Sequence, residues 1–164
     1  MEGTENAIFS PNAPMTRAML TTILYRLEGA PDVMGASPYV DVAAGKWYTA
    51  PVIWANANGI VSGYGNGRFG PMDNITREQM AAVLMRYAAF KGQNTDMRAD
   101  LSKFSDAGAI SSWALESLAW ANAKALLTGR TETEIAPGGK ATRAEFATIL
   151  MRLEGLLESN QSES

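Results

Sequence analysis

The chain has 164 residues, 46% of them hydrophobic and 19% charged, with a net charge of −3 and a pI near 5.0. That length builds one compact domain with a core; the acidic balance argues against nucleic acid, which selects a basic excess, and no run of about 18 apolar residues exists to enter a membrane. The absence of cysteine and histidine removes disulfides, thiolate chemistry, Cys-ligated zinc, the commonest metal ligand and the commonest general base; catalysis would have to rest on carboxylates, Lys, Tyr or Ser alone, and no enzyme activity, metal site or cofactor is expected.

The opening, MEGTENAIFS, has neither a basic start nor an apolar run, so no signal peptide is expected and residues 1–8 are expected to be disordered. Next comes MTRAMLTTILYRLEG, where Leu20, Ile23, Leu24 and Leu27 follow the i, i+3, i+4, i+7 spacing of an amphipathic helix ending near Gly29. Asp41 and Trp47 follow, and Trp47 to about Asn58 is expected to be a short helix, with Pro51 tolerated in its first turn. Gly59–Pro71, GIVSGYGNGRFGP, is expected to be a glycine turn between short extended runs, a minimal hairpin.

The helix then returns. In ITREQMAAVLMRYAAFKG, Met80, Val83, Leu84 and Tyr87 repeat the same spacing up to Gly92, and Thr76 with Gln79 makes a variant capping box. Residues 93–103 are expected to be a polar linker. Asp106, Trp113, a second short helix from Ser112 to about Lys124 and the loop ALLTGRTETEIAP follow. A third long helix carries Phe146, Ile149, Leu150 and Leu153, opens on the capping-box pair Thr142 and Glu145, and is expected to close near Gly155. Residues 156–164 are expected to be a frayed polar tail.

These elements are copies. Trp54 and Trp120, Gly63 and Gly129, Pro71 and Pro137, and Thr76-Arg77 and Thr142-Arg143 all stand 66 residues apart. Phe9, Pro11 and Thr16-Arg17 stand 60 before Phe69, Pro71 and Thr76-Arg77. The chain thus holds the second half of one unit (9–29), a full unit at 39–92 and another at 104–155. Six of nine arginines fall at two repeated positions: Arg17, Arg77 and Arg143, then Arg26, Arg86 and Arg152.

An Asp, a Trp, a Trp-Ala helix, a glycine loop, Phe/Ile-x-Pro and a Thr-Arg-x-Glu/Gln box, recurring in register, resemble the S-layer homology family over nearly all of Phe9 to Gly155. The resemblance implies a mostly α fold: a bundle of three long helices, with short helices and glycine loops forming lobes. It implies an extracellular module that anchors a bacterial surface protein non-covalently to the cell wall. The implied partner is secondary cell wall polysaccharide, typically carrying pyruvylated N-acetylmannosamine, bound in grooves between adjacent repeats. Carried over, the implied ligand residues are Arg17, Arg77, Arg143, Asp41, Asp106, Trp47, Trp113, Gly63, Tyr64, Gly65, Gly129, Arg130 and Thr131. The first box departs from the pattern, with Met19 where Glu stands, and its Asp/Trp half is not in this sequence.

The residues themselves support an anion site. Arginine offers a planar fork to a carboxylate, a helix start offers free N–H donors, and tryptophan offers a flat face to a sugar ring. Plainer roles stand beside these. Thr76 and Thr142 are expected to be N-caps, Trp54 and Trp120 to be core, and Arg26, Arg86 and Arg152 to bond helices or C-terminal carbonyls. Asp41 and Asp106 suit a cap or turn as well as a ligand, and Trp47 and Trp113 suit either role. Glu132 and Glu134 make the third unit's loop acidic, so the groove containing Arg77 is favoured over one relying on that loop. Two other functions remain: a protein–protein assembly module, with self-association through the incomplete first unit, and a glycosidase fragment, which would need two carboxylates suitably spaced.

Overall fold

The computed structural model describes residues 11–163; the expected disordered start and Phe9 lie outside the described residues. The described residues form five α-helices: α1 (Arg17–Leu27), α2 (Thr49–Ala57), α3 (Arg77–Phe90), α4 (Leu115–Ala123) and α5 (Arg143–Glu163). Two 3-10 turns, Ala107–Ala109 and Ser112–Ala114, precede α4. The fold is mostly α, as expected.

The chain divides into two compact units, Met15–Ile75 and the remainder. The division cuts the first two sequence units, 9–29 and 39–92, and leaves the third, 104–155, whole. In the first compact unit α1, from one sequence unit, packs on α2 from the next. Leu20, Leu24, Val52 and Ile60 are buried there, and Tyr25 meets Trp54 edge to face at 5.7 Å. In the second compact unit α3 packs on α4, burying Met80, Leu84, Tyr87, Leu118 and Trp120. Trp54 and Trp120 are core residues, as expected. The spacing that makes α1 and α3 amphipathic supplies one face of each to this packing.

Each long helix starts the same way. Thr16 and Thr76 accept the N–H of the third helical residue, and Thr142 accepts that of Glu145. Gln79 and Glu145 return a side-chain oxygen to the N–H of Thr76 and Thr142, completing two capping boxes. Backbone carbonyls take the first two helical N–H groups: Asp73 and Pro71 for α1, Gly139 and Pro137 for α3, Ala13 and Pro11 for α5.

The ends differ. Gly29 and Gly92 follow the C-caps of α1 and α3 with φ near +82° and +85°, the left-handed conformation that closes a helix. Gly155 has no positive φ, and α5 runs through it to Glu163. Leu156, Leu157 and Glu158 are good helix formers, so the expected stop at Gly155 and the frayed tail are both replaced by helix.

The minimal hairpin expected at Gly59–Pro71 is also absent. Among the described residues there are no strands, only isolated bridges such as Thr16–Asn74 and Thr76–Lys140. The glycine loops close with single turns instead, in which the Tyr64 N–H donates to Arg68 O and the Arg130 N–H to Glu134 O. The second short helix starts later than expected, at Leu115, behind its 3-10 turn. The linker is partly pinned: Leu101 is buried and the Ala99 N–H donates to Ala119 O in α4.

Candidate functional site

Two of the three Thr-Arg arginines are built into glycine loops, each in the loop of the following sequence unit. In the first compact unit Arg17 is only 7% exposed. Its Nε donates to Phe69 O at 2.9 Å and its Nη2 to Ser62 O at 3.0 Å. The guanidinium lies 4.8 Å from the centre of the Tyr64 ring and 4.6 Å from that of Phe69, within cation–π range. Burial pushes its pKa down, with Tyr64 and Asp73 acting in the opposite direction; arginine stays charged regardless. Tyr64 donates its hydroxyl to Asp73 Oδ2 at 2.7 Å.

The second compact unit holds the counterpart. Arg77, 3% exposed, donates from Nε to Ile135 O at 2.9 Å and from Nη2 to Thr128 O at 2.7 Å. Its Nη1 meets Glu145 Oε2 in an ion pair. The other oxygen of Glu145 accepts from Arg130 Nη2 at 2.7 Å and from the Thr142 N–H at 3.0 Å. Burial pushes Glu145 up, but the Thr142 N–H and the two arginines outweigh it and leave the carboxyl below its usual range. Among the described residues Arg17 has no such ion pair; the position matching Glu145 in the second sequence unit is the neutral Gln79.

Beside Arg77 opens a cleft of about 750 Å³. Leu126, Leu127 and Ile149 are buried in its wall, giving an apolar floor. Its charged residues are Arg77, Arg130, Lys140 and Arg152 against one carboxylate, Glu145. Four cations against one anion stand out in a chain of net charge −3.

The structure corrects several expectations. The helix starts do not offer free donors, because carbonyls and the threonine caps take the first three N–H groups of each long helix. Arg77 sits on the third unit's loop, the one disfavoured for its acidity; Glu132 and Glu134 are exposed and do not line the cleft. Asp41 and Asp106, expected to suit a cap or turn as well as a ligand, hold loops in place. Asp41 accepts from the N–H of Phe69 and Gly70, both at 2.9 Å, and Asp106 from those of Ile135 and Ala136 at 2.9 and 2.8 Å. For both, burial raises the pKa, yet these N–H bonds overcome it and hold the carboxyl below the usual Asp range.

The other candidates divide between loop positions and exposed or half-buried ones near the helix starts. A side chain at Gly63 would meet Tyr39 and Arg68 O, and one at Gly129 would meet Thr131 O and Phe104. Gly65 turns the loop with φ +91°. Thr131 accepts from the Glu134 N–H at 3.0 Å. Trp47 and Trp113 precede their helices, 50% and 58% exposed, and Trp113 does not line the cleft. Arg143 is half-buried at the start of α5 and outside the cleft lining.

Sequence reading missed Glu145 as an ion-pair partner and Lys140 as part of the cleft. It gave Arg152 a structural role; Arg152 donates to Leu126 O at 3.4 Å and also lines the cleft. The recurrence of Arg26, Arg86 and Arg152 was the available signal for the last.

Comparison with known proteins agrees with this architecture. The model of the S-layer homology domain matches residues 38–81 and 103–147, just over half the chain. An amylopullulanase of Thermoanaerobacterium thermosulfurigenes is 36% identical over 161 residues, covering 98% of this chain and 8% of that protein. The exoglucanase XynX of Acetivibrio thermocellus is 31% identical over 99% of this chain and 14% of its own length. An S-layer protein of Bacillus thuringiensis subsp. finitimus is 28% identical over 93% of this chain and 18% of its own length. The chain therefore spans less than a fifth of each of these relatives. Each matched segment contains one Asp clamp, one glycine loop and one Thr-Arg helix start, and on that footing the chain belongs to the S-layer homology domain family.

Proposed function

We propose that the chain anchors a bacterial surface protein to the cell wall without a covalent bond, by binding carboxylate-bearing secondary cell wall polysaccharide. Domains of this family occur in S-layer and cell-surface proteins and generally anchor them to the wall. The binding of a specific polysaccharide rests here on one observation: a cleft with four cations around one carboxylate, over an apolar floor, in an acidic chain. A ketal-linked pyruvate is a carboxylate at neutral pH and suits arginine's fork. A sugar ring presents a face that an apolar floor can cover.

The test is co-sedimentation with Gram-positive wall sacculi, one batch intact and one stripped of its secondary polymer by acid. Lys140→Glu with Arg152→Glu is the variant of choice, because both side chains are exposed. Arg77 closes three bonds inside the fold, so its removal would confuse folding with binding. Sedimentation with intact walls only, weakened about tenfold by the double reversal, supports the proposal. Binding to neither batch, together with concentration-dependent self-association, would favour an assembly module instead.

A further inference from the structure

We infer that Glu145 is an internal stand-in for the ligand's carboxylate: it occupies the Arg77 and Arg130 donors and must yield them when the cleft is loaded. The inference rests on reading the cleft as an anion site. Three observations carry it.

First, Glu145 is the one carboxylate among the cleft's charged residues, and it bridges two of the four cations. An incoming carboxylate seeking a forked arginine contact finds both arginines already engaged by a group of its own chemistry. Second, Glu145 does not need its charge to cap α5. Gln79 occupies the same position in α3 and completes the same capping box, accepting the Thr76 N–H at 3.0 Å. The negative charge at 145 is therefore additional to the capping role. Third, Arg17, in the equivalent loop setting, has no ion pair among the described residues and is held by two loop carbonyls and the Tyr64 and Phe69 rings, with Asp73 acting only at longer range, so the loop can hold its arginine without a carboxylate in direct contact.

Glu145 is on this account a specificity-setting residue. It keeps Arg77 and Arg130 compensated in the empty cleft and admits only ligands whose carboxylate outcompetes it. Loading breaks the ion pairs of Glu145 and forms equivalent ones to the ligand, while the capping bond from Thr142 stays.

The test is Glu145→Gln, which keeps the capping box and deletes the charge. In wall co-sedimentation the variant should bind intact sacculi about fivefold more tightly than the parent, the worth of one partly exposed ion pair no longer lost on entry. In thermal unfolding the variant should melt lower in chloride and gain more than the parent when acetate replaces chloride at equal ionic strength. The acetate comparison does not depend on the wall polymer. If neither protein sediments with walls yet acetate stabilises the variant selectively, the polysaccharide proposal fails and the stand-in survives. A variant that melts cooperatively but binds walls equally or more weakly, and shows no selective gain with acetate, overturns the inference.

Discussion

At the scale of single residues, the loops depend on close contacts that only certain side chains permit. A Cβ at Gly129 would lie 2.8 Å from the Phe104 ring and closer still to Thr131 O, so Gly129→Ala should cost about 1–3 kcal/mol by overpacking, read as a lower denaturation midpoint. Asp106→Ala would strip the acceptor from two loop N–H groups, with an expected cost of about 1–3 kcal/mol. The pH dependence has a definite sign. Asp41 and Asp106 have carboxyls held below the ordinary value of about 3.9. A depressed folded-state pKa contributes stability above the unfolded value and loses it as pH falls through the folded one. The stability curve should therefore bend downward below about pH 3.9, and Asp41→Asn with Asp106→Asn should flatten that acid limb in melts taken across the range.

At the scale of elements, the three long helices share one start and differ at their ends. Thr76→Ala removes the cap of α3 and should cost about 1 kcal/mol. The glycines make a sharper contrast. Gly155 is exposed inside α5 with nothing within 4 Å of a Cβ, so Gly155→Ala should stabilise by about 0.5–1 kcal/mol. Gly92, at φ +85° beyond α3, should show the opposite sign on the same substitution, because alanine is strained there. Paired melting curves of the two variants would show whether their roles have diverged. The long-helix starts were legible in sequence because a capping box is local, three residues from acceptor to donor. The end of α5 was not, because a glycine stops a helix only when its backbone turns left-handed, and nothing local compels that.

At the scale of the molecule, charge is unevenly distributed. The cleft gathers cations in a chain whose sum is negative, so wall binding should weaken as salt rises. The loss should be steepest as the Debye length shrinks from about 10 Å at 0.1 M toward about 3 Å at 1 M. Sedimentation across a salt series would check this, and salt-insensitive binding would point to the apolar floor as the main source of affinity.

The repeats, the helix faces, the capping boxes and the buried Trp54 and Trp120 were determined by the sequence alone, because periodicity and short-range spacing encode them. The family, too, was legible in the order of Asp, Trp, glycine loop and Thr-Arg. Tertiary structure alone decided which arginine meets which loop. Arg17 reaches Phe69 and Ser62, and Arg77 reaches Ile135 and Thr128, partners 45 to 58 residues away. Only folding could reveal that the helix-start donors are consumed, which N–H groups Asp41 and Asp106 clamp, and that Glu145 sits between two arginines. Each of these depends on backbone groups or side chains brought together across the fold, and a backbone carbonyl's position is written in no single residue's identity.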